Sequence, residues 1–166
     1  MDTFEVGDMG EAIIESALKR RFKDVRTTPK RIKLQHTWSD FVIPGDRFGS
    51  RHMMIEVKTE LSHTGNLFWE RYSNRGNDIP GWGKTTTAHE IFYLFWKDAI
   101  GYRLTNVQNL KWLIDYYSNE FPLVEQKKHV QDNDSWGYLV PIKWFQSEDI
   151  HKFDFSDEKK ARKLGD

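Results

Sequence analysis

Apolar side chains recur at helical spacing from position 9 to 22: Ile14, Leu18 and Phe22 share one stripe, with Ile13 and Ala17 beside it. That period predicts an amphipathic helix. Asp8 and Glu11 stand three apart at its start, the spacing of a capping box, so the helix is expected to begin near residue 9. The pattern then turns extended. Residues 31 to 43 carry Trp38, Phe41, Val42 and Ile43 before a turn at PGDRFGS. Residues 52 to 59 alternate, and residues 66 to 73, NLFWERYS, make a third strand. A glycine-rich loop, NRGNDIPGWGK, follows, and Thr87 with Glu90 has the spacing to cap a short helical turn. IFYLFW, residues 91 to 96, is an unbroken apolar run of strand length, expected of a strand covered on both faces. Leu110, Leu113, Ile114 and Tyr117 predict a helix over residues 106 to 118, and WGYLVPIKWF a late strand running into a turn. This order argues for an α/β or α+β protein whose central mixed sheet is flanked by helices.

Length, composition and charge narrow the picture. A chain of 166 residues suits one domain, assigned to residues 1 to 155, with a polar tail at 156 to 166 that frays or forms an exposed helix. No apolar run reaches membrane-spanning length, and the acidic start lacks an apolar signal region, so neither a membrane partner nor export is expected. Cysteine is absent, which excludes disulfides, thiol catalysis and Cys-ligated zinc and fits a cytoplasmic location. Charge balances at 25 basic and 25 acidic residues, but unevenly. Residues 19 to 33, KRRFKDVRTTPKRIK, hold eight Lys or Arg against one acid, Asp24. Such a run is either a solvated surface or an edge that contacts phosphates, with Lys30, Arg31 and Lys33 as the candidate contacts.

The candidate chemistry starts at MIEVKTELS. Side chains alternate across a strand, so Glu56 and Lys58 share one face while Ile55 and Val57 take the other. Asp40 begins the preceding apolar strand. If the two strands pair as a hairpin, Asp40 and Glu56 meet at one end and make an oxygen-rich site for a hard divalent cation. A lysine beside them can position or help deprotonate a water, or steady a phosphate. On the first helix Glu11 falls between Leu18 and Phe22, beside the apolar arc. It either closes the capping box or reaches over the sheet to the same site. Glu15 fits a surface pair with Lys19 instead.

Together, Glu11 on a first helix, Asp40 ending WSD and IEVK at 55 to 58 resemble the PD-(D/E)XK nuclease superfamily. The element order is similar to that superfamily's helix, three strands, helix, strand core, which would be a restriction-endonuclease-like fold. The layout is similar to Holliday junction resolvases and to small phage nucleases, whose E-x-K strand is followed by GN-apolar-Glu, a Gly-Trp loop and Thr-Ala. Here those read GNLFWERYS, PGWGKTTTA and IFYLFW. The likeness covers residues 7 to 96, and Ser39 stands where the family name has proline. What it implies is a DNA endonuclease dependent on Mg²⁺ or Mn²⁺. Asp40, Glu56, the Val57 carbonyl and Glu11 would hold metal, Lys58 would orient the attacking water, and hydrolysis would leave a 5′-phosphate. A resolvase-like enzyme would act as a homodimer on branched or duplex DNA. Rival readings are a non-catalytic DNA-binding module on the same fold and a hydrolase of small phosphate esters.

Other residues carry two readings each. Glu70, between aromatics, either adds to the metal site or hydrogen-bonds within the sheet. Lys84 and Thr85 follow the Gly-Trp loop and either contact the scissile phosphate or close a loop. Trp82 either stacks on a DNA base or packs across its own loop. The six histidines show no metal-ligand spacing, and GWGKTTT lacks the earlier glycine of a nucleotide-binding loop.

Overall fold

Two β-sheets stack face to face, and a long helix covers the outer side of the first, in a computed structural model that describes residues 3–28, 39–45, 51–126 and 134–163. Helix α1 spans Thr3–Arg21, and strands β1 Arg26–Thr27, β2 Phe41–Ile43 and β3 Met53–Glu60 follow. Strands β4 Asn66–Asn74 and β5 Ile79–Pro80 lead to the short helix α2, Trp82–Thr85. Then come β6 Glu90–Phe95, β7 Ile100–Leu104 and helix α3, Val107–Tyr116. Strands β8 Leu123–Glu125, β9 Trp136–Pro141 and β10 Ile150–Asp154 precede the last helix, α4, Ser156–Lys163.

The first sheet runs β1-β2-β3-β6-β7-β10, with β3 and β6 parallel and the other pairs antiparallel, so it is mixed as expected. The second, β5-β4-β9-β8, is wholly antiparallel. This corrects one expectation. The strand NLFWERYS does not continue the central sheet; after Gly65, at φ 80°, it turns away and pairs with the distant β9. Buried Leu67 and Trp69 then pack against Tyr93 and Phe95, and this inter-sheet core is closed by Leu110 and Ile114 of α3.

Strand β6 explains its own apolar sequence. Ile91, Tyr93 and Phe95 face the second sheet, while Leu94 lies under α1 with Ile55 and Val57 of β3. The run is apolar throughout because both faces are covered. Helix α1 approaches closely at Gly10, where an added Cβ would sit 2.0 Å from Thr59 Oγ1 and 3.1 Å from Leu94 Cδ1.

Two helix starts differ from the sequence reading. Helix α1 begins at Thr3, so Asp8 lies inside it and caps nothing. The buried Val6 extends the apolar stripe a further turn, and Glu5 suits the positive end of the helix dipole. The predicted turn at Thr87 and Glu90 is instead α2, five residues earlier, and Glu90 opens β6. Glu90 is held there by a forked pair with Arg103 of β7, one arm of which is 2.8 Å. At the far end the tail does form a helix, α4, pinned where Lys159 donates to the carbonyls of Trp96 and Lys97. Among the described residues no helix is long and apolar enough to cross a membrane.

Candidate active site

The hairpin expected of β2 and β3 is present, with Phe41 opposite Ile55. Asp40 stands one residue before the strand and is stitched into it. Its N–H donates to the Ile55 carbonyl at 2.7 Å, and its own carbonyl accepts the Thr28 N–H at 2.9 Å. Its side chain, 3% exposed, accepts the Val57 N–H at 2.5 Å. The carboxylate thus replaces a ladder bond just where β2 begins. Alternate residues of a strand present their backbone groups to the same neighbour. The Val57 carbonyl therefore faces the Asp40 side of β3.

Glu56 and Lys58 project from the other face, towards the second sheet. Glu56 is buried, and Lys58 Nζ lies 2.5 Å from its Oε1. The Lys58 side chain keeps 27% of its exposure. Burial works against its charge, but Glu56 first, then Asp40 and Glu70, more than offset this and raise its pKa above the ordinary lysine value. Lys58 is consequently a cation at neutral pH and a hydrogen-bond donor.

Glu70 comes from the second sheet. It is buried, accepts the Trp82 N–H at 2.9 Å and the Ser135 hydroxyl at 2.6 Å, and acts on Lys58 through space. Glu70 thus hydrogen-bonds within its own layer, one of its two readings, and also acts electrostatically on Lys58. Trp82 is not an open loop residue. It begins α2, is half-buried, and lies tilted on Trp69 with ring centroids 4.9 Å apart. Its other neighbour is Lys58, whose Nζ is 5.2 Å from the ring centroid. Lys84 and Thr85 complete α2. Both are half-buried, and the Thr85 hydroxyl donates to the Gly81 carbonyl at 3.0 Å, the loop-closing reading.

Glu11 is half-buried on α1, and α1 covers the face of β3 that carries Ile55, Val57 and Thr59. It thus belongs to the layer opposite Glu56 and Lys58. Lys30, Arg31 and Lys33, proposed as phosphate contacts, lie outside the described residues, as does Trp38. His89 accepts the Met54 N–H at 3.0 Å through Nδ1, a structural turn histidine. Ser135 was not foreseen. It lies 65 residues from Glu70 in sequence and reaches it only because β9 pairs with β4.

Among the described residues no three His, Asp or Glu side chains gather into a metal cage. A magnesium ion does not require one. It is commonly held by one or two carboxylates, with water and substrate phosphate completing the shell. Asp40 and Glu56, both buried oxygen donors beside one strand, fit that chemistry. Comparison with family models, with curated proteins and with solved structures finds no match in any of the three.

Proposed function

We propose that this chain is a divalent-metal-dependent endonuclease that hydrolyses DNA phosphodiester bonds on a restriction-endonuclease-like core. One observation supports the reading: Asp40 and Glu56, from two paired strands, both act electrostatically on the Lys58 ammonium, whose Nζ lies 2.5 Å from Glu56 Oε1. The element order supports it further. Helix α1, the antiparallel strands β1, β2 and β3, the short helix α2 and then β6 give helix, three strands, helix, strand, once β4 and β5 are set aside as an insertion. The third strand of that core is the two-residue β1 rather than NLFWERYS.

In this reading Asp40, Glu56 and the Val57 carbonyl hold Mg²⁺ or Mn²⁺, with Glu11 a further candidate from the other layer. A bound ion supplies positive charge at the scissile phosphate. Lys58 donates a hydrogen bond to the attacking water or to a phosphate oxygen, and its fixed charge favours the anionic transition state. Asp40 is oriented by the Val57 N–H, and Glu56 by Lys58. The basic segment with Lys30, Arg31 and Lys33, together with Lys84 on α2, would follow the DNA backbone. A homodimer would let two strands be cut together.

The test is a cleavage panel of linear, nicked and four-way DNA with Mg²⁺, wild type beside Lys58→Ala. The proposal expects metal-dependent cleavage by the wild type, lost in the variant while DNA binding and folding are kept. Binding without cleavage by the wild type would replace it with the DNA-binding module. Equal cleavage by both proteins would remove Lys58 from the reaction.

A further inference from the structure

We propose that Glu70 and Trp82, supplied by the second sheet and the helix that follows it, form a positioning clamp on the Lys58 ammonium. Its catalytic consequence rests on the nuclease reading; its existence rests on the geometry of side chains outside the Asp40–Glu56 pair.

The clamp has three parts. The first is the indole face, with Lys58 Nζ over the ring at 5.2 Å from its centroid. The second is the Glu70 carboxylate, which anchors the backbone of Trp82 by accepting its main-chain N–H and is itself fixed by Ser135. The third is Trp69, which lies against the Trp82 ring and donates from its indole nitrogen to the Gly83 carbonyl at 3.1 Å. The two glycines that flank Trp82 make this approach possible. A Cβ on Gly81 would sit 2.5 Å from Glu70 Cγ, and one on Gly83 would sit 2.5 Å from the Trp69 ring. The segment GWG is thus shaped to lay one aromatic ring over one lysine.

A π-face suits that task. An ammonium carries three N–H donors, and Glu56 accepts from it. A ring attracts the charge without demanding a directed N–H bond. The remaining donors stay available to a water or a phosphate oxygen, whereas a second carboxylate in contact would tie them up. Trp82 therefore acts through Lys58, and the DNA-stacking role considered for it gives way to a positioning one.

The test joins a spectroscopic signature to kinetics. In the wild type, the ε-methylene protons of Lys58 should show an upfield ring-current shift, and Trp82→Leu should abolish it. Under single-turnover conditions Trp82→Leu should lower the cleavage rate about tenfold or more, with DNA affinity nearly unchanged. Trp82→Phe, which keeps a face for the ammonium, should recover most of that loss. Should Trp82→Leu fail to fold, Glu70→Ala, which removes the acceptor of the Trp82 main-chain N–H, carries the same expectation, a weakened ring-current shift and a slowed reaction. The clamp is refuted if the Lys58 methylenes resonate at random-coil positions in the wild type. It is refuted equally if the variants cleave at the wild-type rate, or if they lose affinity rather than rate, since Trp82 would then be contacting DNA. A wild type that cleaves no DNA would remove the nuclease reading, and the ring-current shift would still decide the clamp.

Discussion

Asp40 gives one carboxylate oxygen to the Val57 N–H, and that single bond ties its orientation to the backbone of the strand that carries Glu56 and Lys58. Asp40→Asn keeps an acceptor for this bond but removes the charge. Calorimetry should therefore show Mg²⁺ affinity falling on the order of a hundredfold with the melting temperature little changed. Lys58 makes a prediction about pH. Its folded pKa is raised, so its contribution to stability is complete below the unfolded value of about 10.4 and is lost only as pH climbs through the folded one. Denaturant titrations across neutral pH should show no Lys58-dependent slope, and comparison with Lys58→Met should place that slope at strongly alkaline pH. These three residues were legible in the sequence because hairpin pairing and strand alternation are local rules. Ser135 was not, because its bond to Glu70 depends on a pairing between strands far apart in the chain. Glu11 was legible as a carboxylate beside an apolar stripe. Which face of the sheet that stripe would cover was not, since the same stripe packs equally well on either side.

Helix α1 and strand β3 meet at Gly10, and no other residue fits there without displacing Thr59. Gly10→Ala should be destabilising despite alanine's better helix propensity, by about 1–3 kcal/mol from overpacking. Urea unfolding measures this directly, and a stabilised variant would mean that α1 does not lie so close. Long periodic elements were readable: α1, β3, β4, β6 and α3 all occur close to where the spacing puts them. Short ones were not. Strands β1 and β5 have two residues each and exist through their partners, so no period announces them. The capping spacing of Asp8 and Glu11 misled because Val6 gives the helix an earlier buried turn.

The molecule as a whole is held by a join between its two sheets. The Tyr93 hydroxyl on β6 donates to Glu60 of β3 and accepts the Phe68 N–H of β4 at 3.0 Å, so one phenol touches both layers. Tyr93→Phe leaves a buried N–H and a largely buried carboxylate without this partner. It should cost about 1–3 kcal/mol in chemical denaturation. Glu60 also gives the whole fold a pH signature. Burial raises its pKa, more than the Tyr93 and Phe68 hydrogen bonds lower it. The associated stability is complete below the unfolded value of about 4.3 and is lost as pH rises through the higher folded one. Stability should therefore carry a declining component just above the ordinary glutamate range, absent in Glu60→Gln. A two-sheet architecture was beyond the sequence pattern, because β4 reads as a buried strand whichever sheet receives it.

The most direct measurement is the anomalous scattering of Mn²⁺ diffused into crystals of the protein. A peak is expected at coordination distance, about 2.1 Å, from carboxylate oxygens of both Asp40 and Glu56, with Lys58 alongside. A crystal whose only peaks lie elsewhere, or in which Mn²⁺ never approaches that pair of carboxylates, would contradict that expectation.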